Sequence, residues 1–396
     1  MRLLIVQDTD WIKRNPIQHN HLAERMVKRG HEIRVIDYEI LWREEGEKEL
    51  ISKRQVFWVS RILEDAYHIV IRPRILKVPL LDYFSMLYTY NSEIKRQIRE
   101  FSPDVIMGDG ILTPYLAFRL ARKYKIKTVY YCIDVDYKLV PYWFLQPVGK
   151  MIESKNIRNA DLVLSINEGL REYTIRMGAK PEKTKVIRAG VDFTKFNQGI
   201  DGQEIRKKYG IEKDDKVLFF VGWLYHFSGL KEVAVELSKI GRDDLKLFIV
   251  GDGDAYQDLL KIREVYGLED RMIMAGRQPY DLLPQFLAAS DICLLPAYNN
   301  EIMRDIVPIK MYEYMAMGKP VIATKLPGIM KEFGNGNGVI YVDKPEDAVR
   351  KAIELIENGE VKREGEKARS FVEKFSWDKI TDEFEKSLEE LIIGLE

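Results

Sequence analysis

The sequence predicts an α/β protein made of two doubly wound, Rossmann-like domains in tandem. Short runs rich in Val, Ile and Leu alternate with helix-length segments in which apolar residues recur every three to four positions, and this alternation is typical of parallel βαβ units. The alternation occurs in two series, and the residues between them, 193–203, include few apolar side chains. A chain of 396 residues is also long enough for two domains.

The first series predicts an N-terminal domain over residues 1–192. It opens with a strand at 3–6, a helix at 18–29 and a strand at 32–36, and a further helix is predicted at 112–124. The later strands are predicted at residues 68–71, 105–107, 128–132, 162–166 and 185–188. One open sheet with helices on both faces accounts for this series.

The second series predicts a C-terminal domain over residues 204–376, joined to the first by a linker at 193–203. Its strands are predicted at residues 217–221, 245–250, 271–275, 292–295, 321–323 and 339–342. Two doubly wound domains in tandem are expected to leave an interdomain cleft, because α/β sites form at the carboxyl ends of parallel strands. The last segment, 377–396, predicts an amphipathic helix that extends to Leu395.

Composition and charge exclude several classes of protein. The 62 basic side chains are balanced by 62 acidic ones, so the chain is not a uniformly basic nucleic-acid binder. A hydrophobic content of 46% excludes a disordered chain. No run approaches the ~18 apolar residues of a membrane-spanning helix, and the two cysteines lack metal-ligand spacing. We therefore expect a cytoplasmic protein, free or peripheral on the inner face of the membrane, without a bound metal.

The charge is unevenly distributed along the chain. Residues 1–200 carry 34 basic and 25 acidic side chains and residues 201–396 carry 28 and 37, which leaves halves of +9 and −9. This asymmetry indicates either two domains with different partners or ordinary variation in composition. Residues 51–100 interleave aromatic and aliphatic side chains with basic ones, and predict either contact with an anionic membrane surface or the inner faces of ordinary helices. The basic side chains in question are Arg54, Arg61, Arg72, Arg74 and Lys77.

Glycines follow three of the strands predicted in the second series. They are Gly222, Gly251 and Gly276, the last of which is followed by Arg277. A glycine at the end of a parallel strand lets a ligand approach the backbone, and the amides of the next helix can bind an anion. One such turn is common as a plain connection, but three in one domain favour a phosphorylated ligand.

The strongest local signal is the stretch of residues 305–323, which reads DIVPIKMYEYMAMGKPVIA. It predicts a loop with Asp305 and Lys310, a helix that contains Glu313, and a short strand. A lysine beside a helix N-terminus can bind a diphosphate. A carboxylate farther along the same helix can accept hydrogen bonds from two vicinal hydroxyls, such as those of a ribose.

These residues resemble a motif of family 4 of the retaining glycosyltransferases with the GT-B fold. In that family a carboxylate precedes a glutamate by eight positions, and Gly-Lys-Pro-Val-Ile-Ala follows. Asp305 and Glu313 match this spacing, with Asp where the first Glu is usual. The resemblance extends over nearly the whole chain, and the other matching stretches are residues 29–33, 160–163, 190–196 and 289–296.

The resemblance implies an enzyme that transfers a sugar from a nucleotide diphosphate donor to a hydroxyl acceptor, either a glycan or a lipid-linked compound. It also implies retention of anomeric configuration, no cofactor, no required metal and an acceptor bound by the N-terminal domain. By position, Glu313 would bind the donor ribose, Asp305 the hydroxyls of the transferred sugar, and the backbone near Gly276 and Arg277 the base. The family's last helix returns to the first domain, so residues 377–396 would cross back to it.

Two departures from the family pattern concern the diphosphate. Where the family has Gly-Arg and Lys-Gly, this chain has Gly222-Trp223 and Ser228-Gly229, so the two usual cations are absent. A departing diphosphate needs positive charge, and we expect Lys310 and the amides around Gly229 to supply it. Three alternatives stay open: a nucleotide-sugar epimerase, a sugar phosphorylase, and a non-catalytic sugar-nucleotide-binding or scaffold protein.

The candidate catalytic residues of the N-terminal domain are two aspartates at predicted strand ends, Asp109 and Asp134. Either can accept the proton of an acceptor hydroxyl or hold the donor sugar, and either can instead cap the next helix. The triplet Asp134-Val-Asp136 also resembles the metal-binding Asp-x-Asp of other transferases. Such triplets arise readily, as Asp252-Gly-Asp254 shows, so we do not predict a metal there.

The first loop of the chain, residues 10–19, is polar and basic. It predicts either a loop that covers a phosphate or an acceptor with Lys13, Arg14 and His19, or a solvated turn anchored by Trp11.

Overall fold

The computed structural model describes residues 1–13, 16–40, 42 and 49–394, and its chain forms two units. The first consists of Met1–Ala189 together with Trp377–Glu396, and the second of Gly190–Ser376. Each unit has its own sheet, so the predicted fold class of two Rossmann-like α/β halves is confirmed. Arg14 and Leu395, which the sequence assigns to the first loop and the last helix, lie outside the described residues.

The described part of the first unit contains an eight-stranded sheet in the order β3-β4-β2-β1-β5-β6-β7-β8. All neighbouring strands are parallel except β3 and β4. The strands are β1 (Arg2–Gln7), β2 (Glu32–Ile36), β3 (Gln55–Val59), β4 (His68–Arg72), β5 (Val105–Asp109), β6 (Lys127–Cys132), β7 (Leu162–Ser165) and β8 (Thr184–Val186). The helices are α1 (Gln18–Lys28), α2 (Leu81–Glu100), α3 (Leu112–Tyr124), α4 (Gln146–Asn159) and α5 (Glu168–Arg176).

The central strands of this sheet are buried on both faces, which is why they are continuous apolar runs in the sequence. All four residues from Leu3 to Val6 on β1 are buried. The strand order reverses at β1, which lies between β2 and β5. Ligands of open α/β sheets bind at such a reversal, beyond the carboxyl ends of the strands.

Strand β3 was not predicted from the sequence. It forms the edge of the sheet and pairs antiparallel with β4 alone. Four of its five residues are exposed or half-exposed, including Trp58. An edge strand is buried on fewer sides than a central one, so it lacks the continuous apolar run by which the other strands were found.

The last helix, α14 (Trp377–Ile393), packs against α1 in the first unit. Its apolar stripe of Ile380, Phe384 and Leu388 is buried. The Trp377 ring stacks on His21, with centroids 4.2 Å apart and planes 6° from parallel. At the surface of this contact Arg29 forms ion pairs with Asp382 and Glu385 at 2.6 and 2.5 Å.

The second unit contains a six-stranded sheet, wholly parallel, in the order β11-β10-β9-β12-β13-β14. Its strands are β9 (Lys216–Val221), β10 (Leu245–Val250), β11 (Met272–Met274), β12 (Ile292–Leu295), β13 (Val321–Thr324) and β14 (Val339–Val342). Its helices are α6 (Gln203–Lys208), α7 (Leu230–Ser238), α8 (Tyr256–Val265), α9 (Leu283–Ala288), α10 (Ile309–Ala316), α11 (Pro327–Phe333), α12 (Asp347–Glu357) and α13 (Val361–Val372).

Removal of the Trp377 ring tests how much the docking of α14 stabilises the first unit. Trp377 is 3% exposed, so Trp377→Ala should lower the free energy of unfolding by about 3–5 kcal/mol, the usual cost of a buried aromatic side chain. The matched control is Trp58→Ala, at a position 70% exposed, which should change it by less than about 0.5 kcal/mol. Urea denaturation of both variants measures the difference, and equal midpoints would contradict the docking of α14.

Candidate functional site

Three glycine turns lie side by side at the carboxyl edge of the second sheet. Gly222 N donates to the carbonyl oxygen of Val250 at 3.0 Å, and Gly251 N donates to that of Gly276 at 2.9 Å. The φ angles of these three glycines are +141°, +139° and +63°. A Cβ atom on Gly251 would lie 1.9 Å from the Gly222 carbonyl oxygen, so no other residue fits there. The turns therefore leave backbone, without side chains, facing any ligand at this edge.

Gly229 directly precedes α7 and lies against the end of β12. Its φ is +73°, and a Cβ atom there would lie 1.8 Å from the carbonyl oxygen of Pro296. Because the residue before the helix has no side chain, none caps the first amides of α7. Free amides at the start of a helix are donors suited to an anion.

Helix α10 is fixed to the last residue of β9 by two hydrogen bonds. Lys310 Nζ donates to the carbonyl oxygen of Val221 at 2.9 Å, and Val221 N donates to the Tyr314 hydroxyl at 3.0 Å. Lys310 and Tyr314 are four positions apart, so they lie on one face of the helix. This face places the Lys310 ammonium at the Gly222 turn, 2.8 Å from where a Cβ atom on Gly222 would stand.

Lys310 is a cation in a partly apolar environment. Its Nζ lies 4.0 Å from the centroid of the Phe220 ring. Burial lowers its pKa to about 7, and the nearby charge of Glu313 opposes the shift. A negatively charged ligand at the Gly222 turn would therefore find a lysine that gains a proton as it binds.

Glu313 lies one turn after Lys310 and is buried. Its Oε1 accepts a hydrogen bond of 2.5 Å from the Tyr280 hydroxyl. Burial raises the pKa of Glu313 to about 7, and the Tyr280 hydrogen bond and the charges of Lys195 and Lys310 act in the opposite direction. Lys195 Nζ lies 4.1 Å from the centroid of the Tyr280 ring. Tyr280 could not be identified from the sequence, because its partner on α10 is distant along the chain.

The loop between β9 and α7 is aromatic and carries no lysine or arginine. Trp223 is exposed, and its Nε1 lies 3.4 Å from Oδ2 of Asp254. The rings of Tyr225 and Phe227 stack with centroids 4.7 Å apart and planes 9° from parallel. Trp223 and Ser228 thus stand at the positions of the two cations missing from the sequence motif, and Lys310 reaches the Gly222 turn from α10.

Two further residues predicted for the donor site lie at its periphery. Asp305 is half-exposed in the loop before α10, and its Cα lies 3.0 Å from where a Cβ atom on Gly328 would stand, at the start of α11. Arg304 Nε lies 3.8 Å from Oδ2 of Asp305. Arg277 is exposed after β11, and it makes no hydrogen bond or ion pair with any residue that the structure describes.

In the first unit, acidic side chains follow three neighbouring strands at the carboxyl edge. Asp8 follows β1, Asp109 ends β5, and Asp134 and Asp136 follow β6. The Asp8 carboxylate accepts hydrogen bonds of 2.6–3.0 Å from the amides of residues 111–113, so it caps α3. Asp109 and Asp134 are the two catalytic candidates that the sequence predicted, whereas the capping role of Asp8 was not predicted.

Burial disfavours the charged form of Asp109 and Asp136 at this edge. Burial raises the pKa of Asp109 well above its usual range, and the negative charges of Asp134, Asp8 and Glu153 add to the shift. The pKa of Asp136 is raised well above its usual range in the same way, by burial and then by Asp109. The Tyr130 hydroxyl donates to Oδ2 of Asp136 at 2.9 Å.

Glu153 extends this cluster from α4 and is fully buried. Its carboxylate accepts hydrogen bonds from the Tyr173 hydroxyl at 2.7 Å and from Tyr137 N at 3.0 Å. Burial raises its pKa to about 7. Glu153 could not be identified from the sequence, because only tertiary contacts show that this helical glutamate faces inward.

His19 lies on α1 beside the same cluster and is fully buried. Its Nδ1 lies 3.6 Å from Oδ2 of Asp109, and neither ring nitrogen has a hydrogen-bond partner among the described residues. Burial lowers the pKa of His19 to about 3. Trp11 is buried too, and its Nε1 hydrogen-bonds Nε2 of His68 at 2.9 Å. The first loop is thus anchored by Trp11, and His19 faces the aspartates as a neutral ring.

The residues that the structure describes include no group of three or more His, Cys, Asp or Glu side chains arranged to hold a metal ion. No helix among those residues is both long and apolar enough to cross a membrane.

Two parallel-sheet units, one with a glycine-lined edge, a lysine and a buried glutamate, define the class of the GT-B glycosyltransferases. A family model described as Glycosyltransferase Family 4 matches residues 20–195, and one described as Glycosyl transferases group 1 matches residues 201–374. The two models together match most of the chain. The chain therefore belongs to the family 4 glycosyltransferases with the GT-B fold, and the protein is a glycosyltransferase.

Curated relatives are also glycosyltransferases. An uncharacterised glycosyltransferase of Methanocaldococcus jannaschii is 24% identical over 81% of each chain. The N-acetyl-α-D-glucosaminyl L-malate synthase of Bacillus anthracis is 28% identical over 58% of this chain and 59% of its own length. The D-inositol 3-phosphate glycosyltransferase of Corynebacterium jeikeium is 27% identical over 61% and 60%. The chain thus spans less than two thirds of the last two relatives.

Solved structures share the fold over the whole chain. The sucrose-phosphate synthase of Thermosynechococcus elongatus aligns with a TM-score of 0.79 and 17% identity, over all of both chains. The Anabaena protein HepE, solved in complex with UDP, aligns with a TM-score of 0.76 and 17% identity, over 98% of this chain and all of its own. HepE has also been solved in complex with UDP-glucose.

The buried, unpartnered His19 should make stability depend on pH. Below pH 6.5 the unfolded chain protonates this histidine, whereas the folded chain does not until about pH 3. Stability from this group is therefore complete above pH 6.5 and is lost as the pH falls, by about 2 kcal/mol at pH 5. His19→Phe should remove that loss, so its free energy of unfolding should fall less than that of the wild type between pH 6.5 and 5.

Urea denaturation at the two pH values measures this difference. The control is His226→Phe, because the His226 side chain is largely exposed, and it should follow the wild type. A His19→Phe variant with the wild-type pH dependence would contradict a neutral, buried His19.

Proposed function

We propose that this glycosyltransferase moves a sugar from a nucleotide diphosphate donor to a hydroxyl group of a saccharide or lipid-linked acceptor, with retention of anomeric configuration. The observation that carries the proposal is the clamp of α10 on Val221. It places a lysine at a glycine turn and a buried glutamate one helical turn farther on. A nucleotide sugar likewise joins a diphosphate directly to a ribose, so the two groups match its two parts in order.

The donor is assigned to the second unit group by group. Glu313 accepts hydrogen bonds from the two ribose hydroxyls, in place of the Tyr280 hydroxyl that it binds in the structure. Lys310 and the amides at Gly222, Gly251 and the start of α7 bind the diphosphate. The backbone at Gly276 and Arg277 faces the base, and Asp305 the hydroxyls of the transferred sugar. HepE, of the same fold, was solved with UDP and UDP-glucose, so UDP is the first nucleotide to test.

The acceptor hydroxyl is assigned to the carboxyl edge of the first unit. Asp109 and Asp134 are hydrogen-bond acceptors that can orient a hydroxyl for attack. Each additional negative charge at this edge is disfavoured, because the carboxyl groups already raise one another's pKa. The reacting part of the acceptor is therefore an uncharged polyol, despite the net charge of +9 on residues 1–200.

Transfer with retention follows from attack on the same face from which the diphosphate departs. The bond from the anomeric carbon to the phosphate oxygen breaks, the bond to the acceptor oxygen forms, and the acceptor's proton passes to the departing diphosphate. Lys310 and the helix amides stabilise the negative charge that develops on that phosphate. In this scheme no cofactor or bound metal takes part, and the assignment of retention rests on the family resemblance.

A second candidate is a sugar-nucleotide-binding protein without turnover. The observation that favours it is the aromatic loop between β9 and α7, where Trp223 and Ser228 stand in place of the usual cations. Calorimetric binding of UDP, together with no consumption of UDP-sugars across a broad panel of polyol acceptors, would support this candidate over the transferase.

Replacement of Glu313 tests the ribose site. In a thermal-shift titration UDP should raise the melting temperature of the wild type, because a ligand of the native state stabilises it. Glu313→Ala should weaken UDP binding at least about tenfold, since hydrogen bonds to a buried carboxylate are lost. Glu264→Ala, at an exposed position on α8, is the matched control and should respond as the wild type does. Equal responses from both variants would exclude Glu313 from the site.

Replacement of Lys310 tests the diphosphate site and has a pH signature. Because burial holds the pKa of Lys310 near 7, UDP binding must add a proton to the lysine above that pH. Wild-type affinity for UDP should therefore fall by up to about tenfold for each pH unit above 7, whereas affinity for uridine should not. Lys310→Ala should bind UDP more weakly and without this dependence, while the exposed control Lys261→Ala should retain it. A Lys310→Ala variant with the wild-type pH profile would contradict the assignment.

A further inference from the structure

The first unit exposes several large apolar side chains in one segment for which the sequence predicted no role. This aromatic segment, residues 137–152, lies between β6 and the middle of α4. Trp143 is 79% exposed and Met151 is 66% exposed. The other large apolar side chains that it exposes are Leu139, Phe144 and Val148. Exposed apolar side chains in such density mark an interaction surface.

The fold holds the aromatic segment in place from beneath. Tyr137 N donates to the buried carboxylate of Glu153 at 3.0 Å. Gly149 is buried, and a Cβ atom there would lie 3.3 Å from Cγ2 of Val140, so α4 packs directly on the turn before it. With the face of α4 that contains Gly149 and Glu153 turned inward, Val148 and Met151 are turned outward. The exposure is thus a consequence of packing rather than of a loose loop.

The charged side chains within the aromatic segment have one sign. Residues 137–152 include lysines and no Asp or Glu. Lys150, Lys155 and Arg119 are exposed on or beside it. Lys150 Nζ lies 5.5 Å from the Tyr137 ring, and Lys155 Nζ lies 5.2 Å from the Tyr115 ring. Aromatic side chains bordered by cations are the composition of surfaces that rest on anionic lipid, where the rings lie at the headgroups.

The stretch 51–100, for which the sequence left open either membrane contact or the inner faces of ordinary helices, uses several of its basic side chains within the fold. Arg72 is buried and paired with Asp37 at 2.6 Å, and Lys77 is buried and paired with Glu39 at 3.1 Å. Arg54 pairs with Glu93 through two hydrogen bonds of 2.8 and 2.9 Å. Arg72 and Lys77 thus stabilise the interior of the unit, which favours the alternative of ordinary inner faces for them, whereas Arg54, Arg74, Trp58 and Phe84 are exposed.

We propose that the aromatic segment docks the protein on an anionic bilayer, with Trp143 and Phe144 among the headgroups and Lys150 and Lys155 against the lipid charges. The segment begins directly after Asp136, so the docked surface adjoins the carboxyl edge of β6. The biological role of this surface rests on the proposed function, because a bilayer docked there would bring the hydroxyl of a lipid-linked acceptor to that edge.

The test is flotation of the full chain with vesicles of phosphatidylcholine, alone or mixed with an equal amount of phosphatidylglycerol. The wild type should float with the mixed vesicles and far less with phosphatidylcholine alone. The double variant Trp143→Ser/Phe144→Ser should lower partitioning at least about tenfold. Lys150→Gln/Lys155→Gln should lower it about fivefold for each lysine. The matched control Trp58→Ser/Phe84→Ser removes equally exposed aromatic rings and should float as the wild type does.

The UDP-dependent melting shift, measured on the same samples, separates this inference from the proposed function. A serine variant of the aromatic segment that keeps the UDP response and loses flotation supports the docking surface. A wild type that responds to UDP but does not float overturns it and leaves the donor site intact. Flotation that depends on Trp143 in a protein indifferent to nucleotides would keep the docking surface and remove the proposed donor.

Two other results would also overturn the docking surface. If only the Trp58→Ser/Phe84→Ser control lost flotation, the lipid contact would belong to the surface of β3 and α2 instead of the aromatic segment. A wild-type dimer that the serine variant dissociates, without flotation, would identify the aromatic segment as a contact between copies of the chain.

Discussion

The clamp of α10 on the end of β9 is the interaction on which the second unit's site depends. Val221 is held through both of its backbone polar groups, by the Lys310 ammonium and by the Tyr314 hydroxyl. The two contacts come from residues four positions apart on one face of the helix, so together they fix the rotation of α10 about its axis. The direction of Glu313, between the two clamping residues, follows from it. Loss of either contact would free this rotation and misplace the glutamate.

The two sheet edges are built from opposite materials. In the second unit the edge is backbone with glycines, and at Gly229 and Gly251 a neighbouring carbonyl oxygen fills the side-chain position. In the first unit the edge consists of carboxyl groups that share burial and raise one another's pKa. The net charges of the two halves, +9 and −9, have the opposite signs to these edges. The groups at each edge thus decide what it can bind, because salt screens the electric field of a charge beyond about 10 Å.

The sequence predicted the parallel strands and the two chemical residues of α10, for different reasons. Fully buried strands are continuous apolar runs, so β1 or β10 is visible without any partner. Lys310 and Glu313 were selected because they lie close together in one stretch of sequence, although the sequence assigned Lys310 to the loop and the structure places it in α10. Tyr280 and Glu153 were not found, because each acquires its role from a partner on another element. The same limit explains Arg72 and Lys77, whose acidic partners lie more than 30 positions away.

The shifted pKa values of Lys310 and Glu313 connect the empty and the occupied state of the donor edge. Burial disfavours the charged form of each group, so both titrate near pH 7 when no ligand is present. A diphosphate would supply the negative charge that Lys310 lacks, and ribose hydroxyls would supply the donors that Glu313 now takes from Tyr280. Both groups would then favour their charged forms. Binding of the donor would therefore offset the desolvation penalty on the charged forms of Lys310 and Glu313. A ligand that has only a diphosphate, or only vicinal hydroxyls, would offset the penalty on one of the two groups.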